Sequence, residues 1–69
     1  MQIILNHNPE DIAVESESIS VTELLNLKRY SFKMLVVKIN DTLVRKENYS
    51  TATIKNGDNV QVIHLISGG

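Results

Sequence analysis

The sequence has no cysteine and no tryptophan, one proline, three glycines, and only two tyrosines and one phenylalanine for aromatics. Without cysteine there is neither a disulfide framework nor a thiolate zinc site, and no side-chain thiol can carry sulfur or attack a substrate. Neither sign of charge dominates. Seven Lys and Arg face eight Asp and Glu, a net charge of −1 with a pI near 6.0. Such a balance leaves no electrostatic footprint for nucleic acid or an anionic membrane. Apolar runs stay far below the ~20 residues of a membrane span, and the first residues have no signal-peptide pattern. The expectation is a soluble, cytoplasmic domain with neither nucleic acid nor membrane as partner. At 69 residues it is one domain, burying about 60% of its unfolded surface around a small core.

Catalytic constellations are equally scarce. His7 and His64 have no cysteine or further histidine at ligand spacing, so His7 reads as a turn residue and His64 as structural or partner-facing. The carboxylates are scattered over caps and turns with no pair for acid/base work. There is no phosphate-cradling glycine loop, because Gly57 falls in a turn and Gly68 and Gly69 are terminal. No catalytic residue, metal site or bound cofactor is expected.

What is present is a pattern of short strands and one helix. Residues 1–6 (MQIILN) read as a strand with Met1, Ile3 and Leu5 on one face. Asn8-Pro9-Glu10-Asp11 is a turn signal, and residues 11–15 read as the returning strand. Residues 15–18 are polar and read as a loop. Ser20-Val21-Thr22-Glu23 is a capping box, with Ile19 and Leu24 at staple spacing, opening a helix over 21–29. Lys28 and Arg29 stand where positive charge favours a helix C-terminus.

Phe32 and Met34 are expected to cover an edge of the core. Residues 35–39 (LVVKI) are the clearest internal strand, turned by Asn40-Asp41 into a brief return at 42–44. Residues 45–50 read as irregular or one helical turn anchored by Tyr49, and 52–54 as a further short strand. Asn56-Gly57-Asp58 then turns the chain into a last apolar strand, Val60 to Ile66, which hands over to Ser67-Gly68-Gly69. Strands with a single helix imply α+β. First and last strands side by side and parallel at the centre make a β-grasp (ubiquitin-like) fold, a mixed sheet of four to five strands covered by one helix. The domain is expected over residues 1–66, with 67–69 a flexible tail.

Alternation defines two faces of the last strand. With Val60 and Val62 toward the helix, Ile63 and Leu65 face the other way, as do Ile4 and Val36 on neighbouring strands. These four are the candidate docking residues for a partner. Glycine, lacking Cβ, lets a backbone pass a narrow channel, so Ser67-Gly68-Gly69 is the candidate functional end. Composition alone leaves open that it is simply a disordered terminus.

The chain resembles the ThiS family, the sulfur carriers of thiamine biosynthesis, over nearly its whole length. The resemblance rests on Met1-Gln2-Ile3, Ser20-Val21-x-Glu23-Leu24-Leu25, Val37-Lys38-Ile39-Asn40 and Leu43-Val44-Arg45-Lys46-Glu47-Asn48-Tyr49. It is most specific at Asn56-Gly57-Asp58 and Ser67-Gly68-Gly69. The chain departs from the family at Arg45-Lys46, where Pro-Arg is usual, at Tyr49, often Trp, and near Ser18, where a glycine is common. The resemblance implies a carrier rather than an enzyme, monomeric when free. Its Gly69 carboxylate would be adenylated by a ThiF/MoeB-like enzyme, converted to a thiocarboxylate, and used by a ThiG-like thiazole synthase. ATP and the sulfur donor would come through those partners. The related small subunit of molybdopterin synthase, MoaD, and ubiquitin-like protein modifiers share the fold and the Gly-Gly end. MoaD's Phe-Pro-Pro-like segment is absent here.

Overall fold

The computed structural model describes residues 1–30 and 35–64. The expected places of Phe32, Met34, Leu65 and the 67–69 tail lie outside them. Seven strands, a helix and a 3₁₀ turn follow one another among the described residues: β1 (Gln2–Leu5), β2 (Asn8–Asp11), β3 (Ser18–Ser20), α1 (Val21–Leu27), β4 (Leu35–Ile39), β5 (Thr42–Val44), the 3₁₀ turn Lys46–Asn48, β6 (Thr53–Lys55) and β7 (Asn59–His64). Five strands form one sheet in the order β2-β1-β7-β4-β5, and β3 pairs with β6 in a second, small sheet. β1 and β7 are parallel and every other pair is antiparallel. This is the β-grasp arrangement, a mixed sheet with one helix, as the strand pattern implies.

Alternation explains the core. Ile3 and Leu5 of β1, Val37 of β4, and Val60 and Val62 of β7 turn to one face and are buried. α1 closes that face with Val21 and Leu24, both 0% exposed. The capping box forms as its residues dictate: Glu23 N–H donates to Ser20 Oγ at 3.0 Å, and Ser20 N–H to Glu23 Oε1 at 3.3 Å. Ile19 pairs across β3–β6 with Ile54, and both are buried.

Several elements differ from the sequence expectation. The first hairpin turns at Asn6-His7 rather than at 8–11, because both residues take positive φ (51 and 69) and form a two-residue loop. Asn8-Pro9-Glu10-Asp11 is therefore the returning strand. Proline fits there because β2 is an edge strand and Pro9, opposite Ile4, points its missing donor outward. The helix stops at Leu27 instead of residue 29. Arg29 takes φ 58, and its N–H and that of Tyr30 bond back to Asn26 O (3.1 Å) and Leu25 O (2.9 Å), which is a Schellman closure with arginine in the usual glycine place. Asn40 and Asp41 turn with φ of 50 and 67, as expected.

Candidate functional site

β7 sits at the middle of the sheet and gives its two faces opposite tasks. Val62 is buried beneath the helix while Ile63, the next residue, is 44% exposed on the uncovered face. Val36, half-buried on β4, lies directly across from Ile63. These two candidate docking residues are brought together. Ile4 shares their face but pairs with Asn59, four positions before Ile63, about 13 Å away along the strand. It lines an open cleft of about 450 Å³ with Gln2, Pro9, Asp11 and Gly57 instead. Leu65, Ser67, Gly68 and Gly69 lie outside the described residues.

The same face carries an apolar residue that the sequence reading passed over. Leu43 on β5 is 58% exposed and pairs with Lys38, the outward neighbour of Val36 on β4. The signal was available: Val44, the next residue, pairs with the fully buried Val37, so alternation must turn Leu43 outward. Arg45 follows in extended conformation (φ −76, ψ 152), exposed at the edge of this surface.

Two asparagines tie the strand ends. At the start of β7, Asn40 accepts from Asn59 N–H (2.9 Å) and donates to Asp58 (3.1 Å), whose other oxygen accepts from Lys55 N–H (2.8 Å). Further along, Asn6 Oδ1 accepts the N–H of Val62 at 2.8 Å, and the His7 ring and Gln61 amide approach to 3.3 Å. Neither tie was read from the sequence, since nothing local marks a partner 19 residues away in the first case and 56 in the second.

Titratable chemistry is sparse. Among the described residues no group of three His, Cys, Asp or Glu is placed to hold a metal ion, and no polar or charged side chain is buried. Tyr49 is half-buried, its hydroxyl donating to Leu35 O at 3.4 Å, and burial pushes its phenol above the ordinary value. The hydrogen bond and ion pair with Glu10 hold the exposed Lys28 ammonium above its usual range. Both are structural ties.

The model of the ThiS family matches residues 3–69. The chain belongs to the ThiS family. A crystal structure of a ThiS thiamine biosynthesis protein from Geobacter metallireducens superposes with a TM-score of 0.85 at 31% identity, covering all of both chains. An NMR solution structure of a thiamine biosynthesis protein from the same organism gives a TM-score of 0.80 at 28% identity, covering all of this chain and 88% of that one. An uncharacterised protein, ycf40, of Trieres chinensis is 26% identical over 54 residues, 78% of this chain and 74% of its own. This ThiS-family chain thus shares its β-grasp with thiamine biosynthesis proteins. Among the described residues no helix is long and apolar enough to cross a membrane.

Proposed function

We propose that this protein is a sulfur carrier for assembly of the thiamine thiazole, with Gly69 as the sulfur-accepting residue. The observation that carries the reading is the family match running through residue 69, and so through Gly68-Gly69. The chemistry of a glycine carboxylate sets the sequence of events. With a pKa near ~3.5 it is an anion at neutral pH, and an anionic carboxylate is a poor electrophile. An adenylating partner binds ATP and lets the carboxylate attack the α-phosphorus, expelling pyrophosphate. A persulfide sulfur then attacks the acyl carbon, AMP leaves, and a second thiol cleaves the S–S bond to free the thiocarboxylate. A thiazole synthase takes that sulfur. Partners supply the catalytic groups, the ATP and the sulfur; the carrier supplies a docking face and reach.

Ile63 and Val36, side by side on the uncovered face, support docking there, with Leu43 one strand further out. The test is the intact mass after incubation with an adenylating enzyme, ATP and a sulfur donor. The expected result is a gain equal to one sulfur replacing one oxygen, mapped to Gly69. No gain with an enzyme active on its own carrier, or a gain on an internal residue, overturns the reading. Gly69→Val should leave melting unchanged and abolish the mass gain, because a β-branched side chain cannot follow bare backbone into a narrow site.

A further inference from the structure

The turn between β6 and β7 carries a labile amide pair that neither docking nor adenylation uses. Asn56 is followed by Gly57, and no other asparagine in the sequence precedes a glycine. Asparagine is thermolabile, because the backbone nitrogen of the next residue can attack its side-chain carbonyl. Glycine eases that attack, having no Cβ to stand in the way. Both residues are exposed and line the open cleft beside Gln2, with nothing within 4 Å of where a Cβ on Gly57 would lie. Water and base therefore reach the pair. Its two reacting groups are nonetheless held, and by one residue. Gln2 N–H donates to Asn56 Oδ1, and Gly57 N–H donates to Gln2 O, both at 2.7 Å. Gln2 has both groups available because bonded and unbonded pairs alternate along an antiparallel ladder. Ile12 N–H donates to Met1 O at 2.7 Å, so the next pair, Gln2 with Asp11, is an unbonded one.

We propose that Asn56-Gly57 is a deamidation site that the backbone of Gln2 holds closed. In the reaction the Gly57 nitrogen gives its proton to base and bonds to Asn56 Cγ. The Cγ–Nδ2 bond breaks and Nδ2 leaves as ammonia. The cyclic imide then takes up water. Cleavage at Cγ leaves aspartate, and cleavage at the backbone carbonyl leaves isoaspartate, with the chain rerouted through the side chain. The Gln2 bonds oppose the first step twice. The proton of the nucleophile is committed to Gln2 O, and the amide under attack is pinned through its oxygen, where reaction demands close alignment. Deamidation then requires the start of β1 to leave the turn, a local opening that needs less free energy than unfolding the whole domain. The two products treat the turn differently. Aspartate still offers Gln2 N–H an oxygen. Isoaspartate puts an extra carbon into the backbone between Lys55 and Asp58. That span is closed by Asp58 N–H to Lys55 O (3.0 Å) and Lys55 N–H to Asp58 Oδ2 (2.8 Å), and it leads β6 into β7.

The experiment follows the wild-type protein at mildly alkaline pH, folded in buffer and unfolded in guanidinium chloride. Its readout is a mass gain of one hydroxyl replacing one amino group, mapped to residue 56, with isoaspartate counted by an isoaspartyl methyltransferase. Folding should slow the gain about tenfold or more, and Gly57 N–H exchange by a similar factor, since one opening releases both. Gln2→Pro removes the N–H bonded to Asn56, and the first residue of a strand tolerates proline. It should speed the folded-state gain by about threefold or more, with the unfolded rate unchanged. Gln2→Ala keeps both backbone groups and should match wild type. Equal rates in the folded and unfolded protein overturn the assignment, as does slowed deamidation with Gly57 exchange unprotected. So does a folded Gln2→Pro variant that reacts no faster than wild type, or a Gln2→Ala variant that reacts as fast as Gln2→Pro. The two wild-type measurements need no variant, so they decide even where proline at position 2 prevents folding.

Discussion

Single residues decide where α1 begins and ends, and both ends can be tested. Ser20 accepts from Glu23 N–H at 3.0 Å, so Ser20→Ala should cost about 1 kcal/mol, read as a lower urea midpoint at constant slope. The other end runs against ordinary preference, with Arg29 at φ 58 closing a Schellman motif. Left-handed backbone costs a residue with Cβ about 1–2 kcal/mol, and glycine gives part of that back through its larger unfolded freedom. Arg29→Gly should therefore stabilise the domain by about 0.5–1 kcal/mol. An unchanged or lower urea midpoint would mean that the arginine side chain contributes something the helix end does not explain. The start of this helix was plain in the sequence, since serine and glutamate three apart have a specific geometry to satisfy. Its end was not, because arginine carries no signal for positive φ.

At the scale of the element, β7 is the instructive case. Val62→Ala opens a void under α1 and should cost about 1–3 kcal/mol. Ile63→Asp, one residue on but 44% exposed, should move stability by less than about 0.5 kcal/mol while weakening binding to the adenylating partner. Thermal melts beside a binding titration separate the two, and unfolding by Ile63→Asp would mean the faces are exchanged. Strands with strict alternation, β1, β4 and β7, were legible because one face is buried. The β2 span was misplaced because Asn8-Pro9 is a strong local turn signal, and the edge position that tolerates proline is a tertiary fact. β3 was missed because three residues carry no period; only Ile54 across the pair makes Ser18–Ser20 a strand. The candidate docking group was half assembled by the same logic. Alternation places a residue on a face, but only the register Ile4↔Asn59 shows that Ile4 stands apart from Ile63.

For the whole molecule, the two perturbed groups point to an alkaline limit. Lys28 is raised by its hydrogen bond to Glu10 and Tyr49 by burial of the phenol, so folding favours the protonated form of each. Their contribution is fully present below the ordinary values, near ~10, and is lost as pH rises through the folded values. Stability should fall above about pH 10, and Tyr49→Phe should make that fall shallower in pH-dependent urea titrations. The sheet order has a consequence of another kind, one of timing. A ribosome delivers the β1–β2 and β4–β5 hairpins early, each closed by a two-residue loop. The strand that must lie between them, β7, is made last. Until it emerges, β1 and β4 each present a bare edge, and the pairing that unites them spans more than fifty residues. Such long-range closure is slow to form and exposes unpaired edges while it waits. Nascent chains stopped before Asn59 should thus hold two separate hairpins, and the sheet should assemble in one late step.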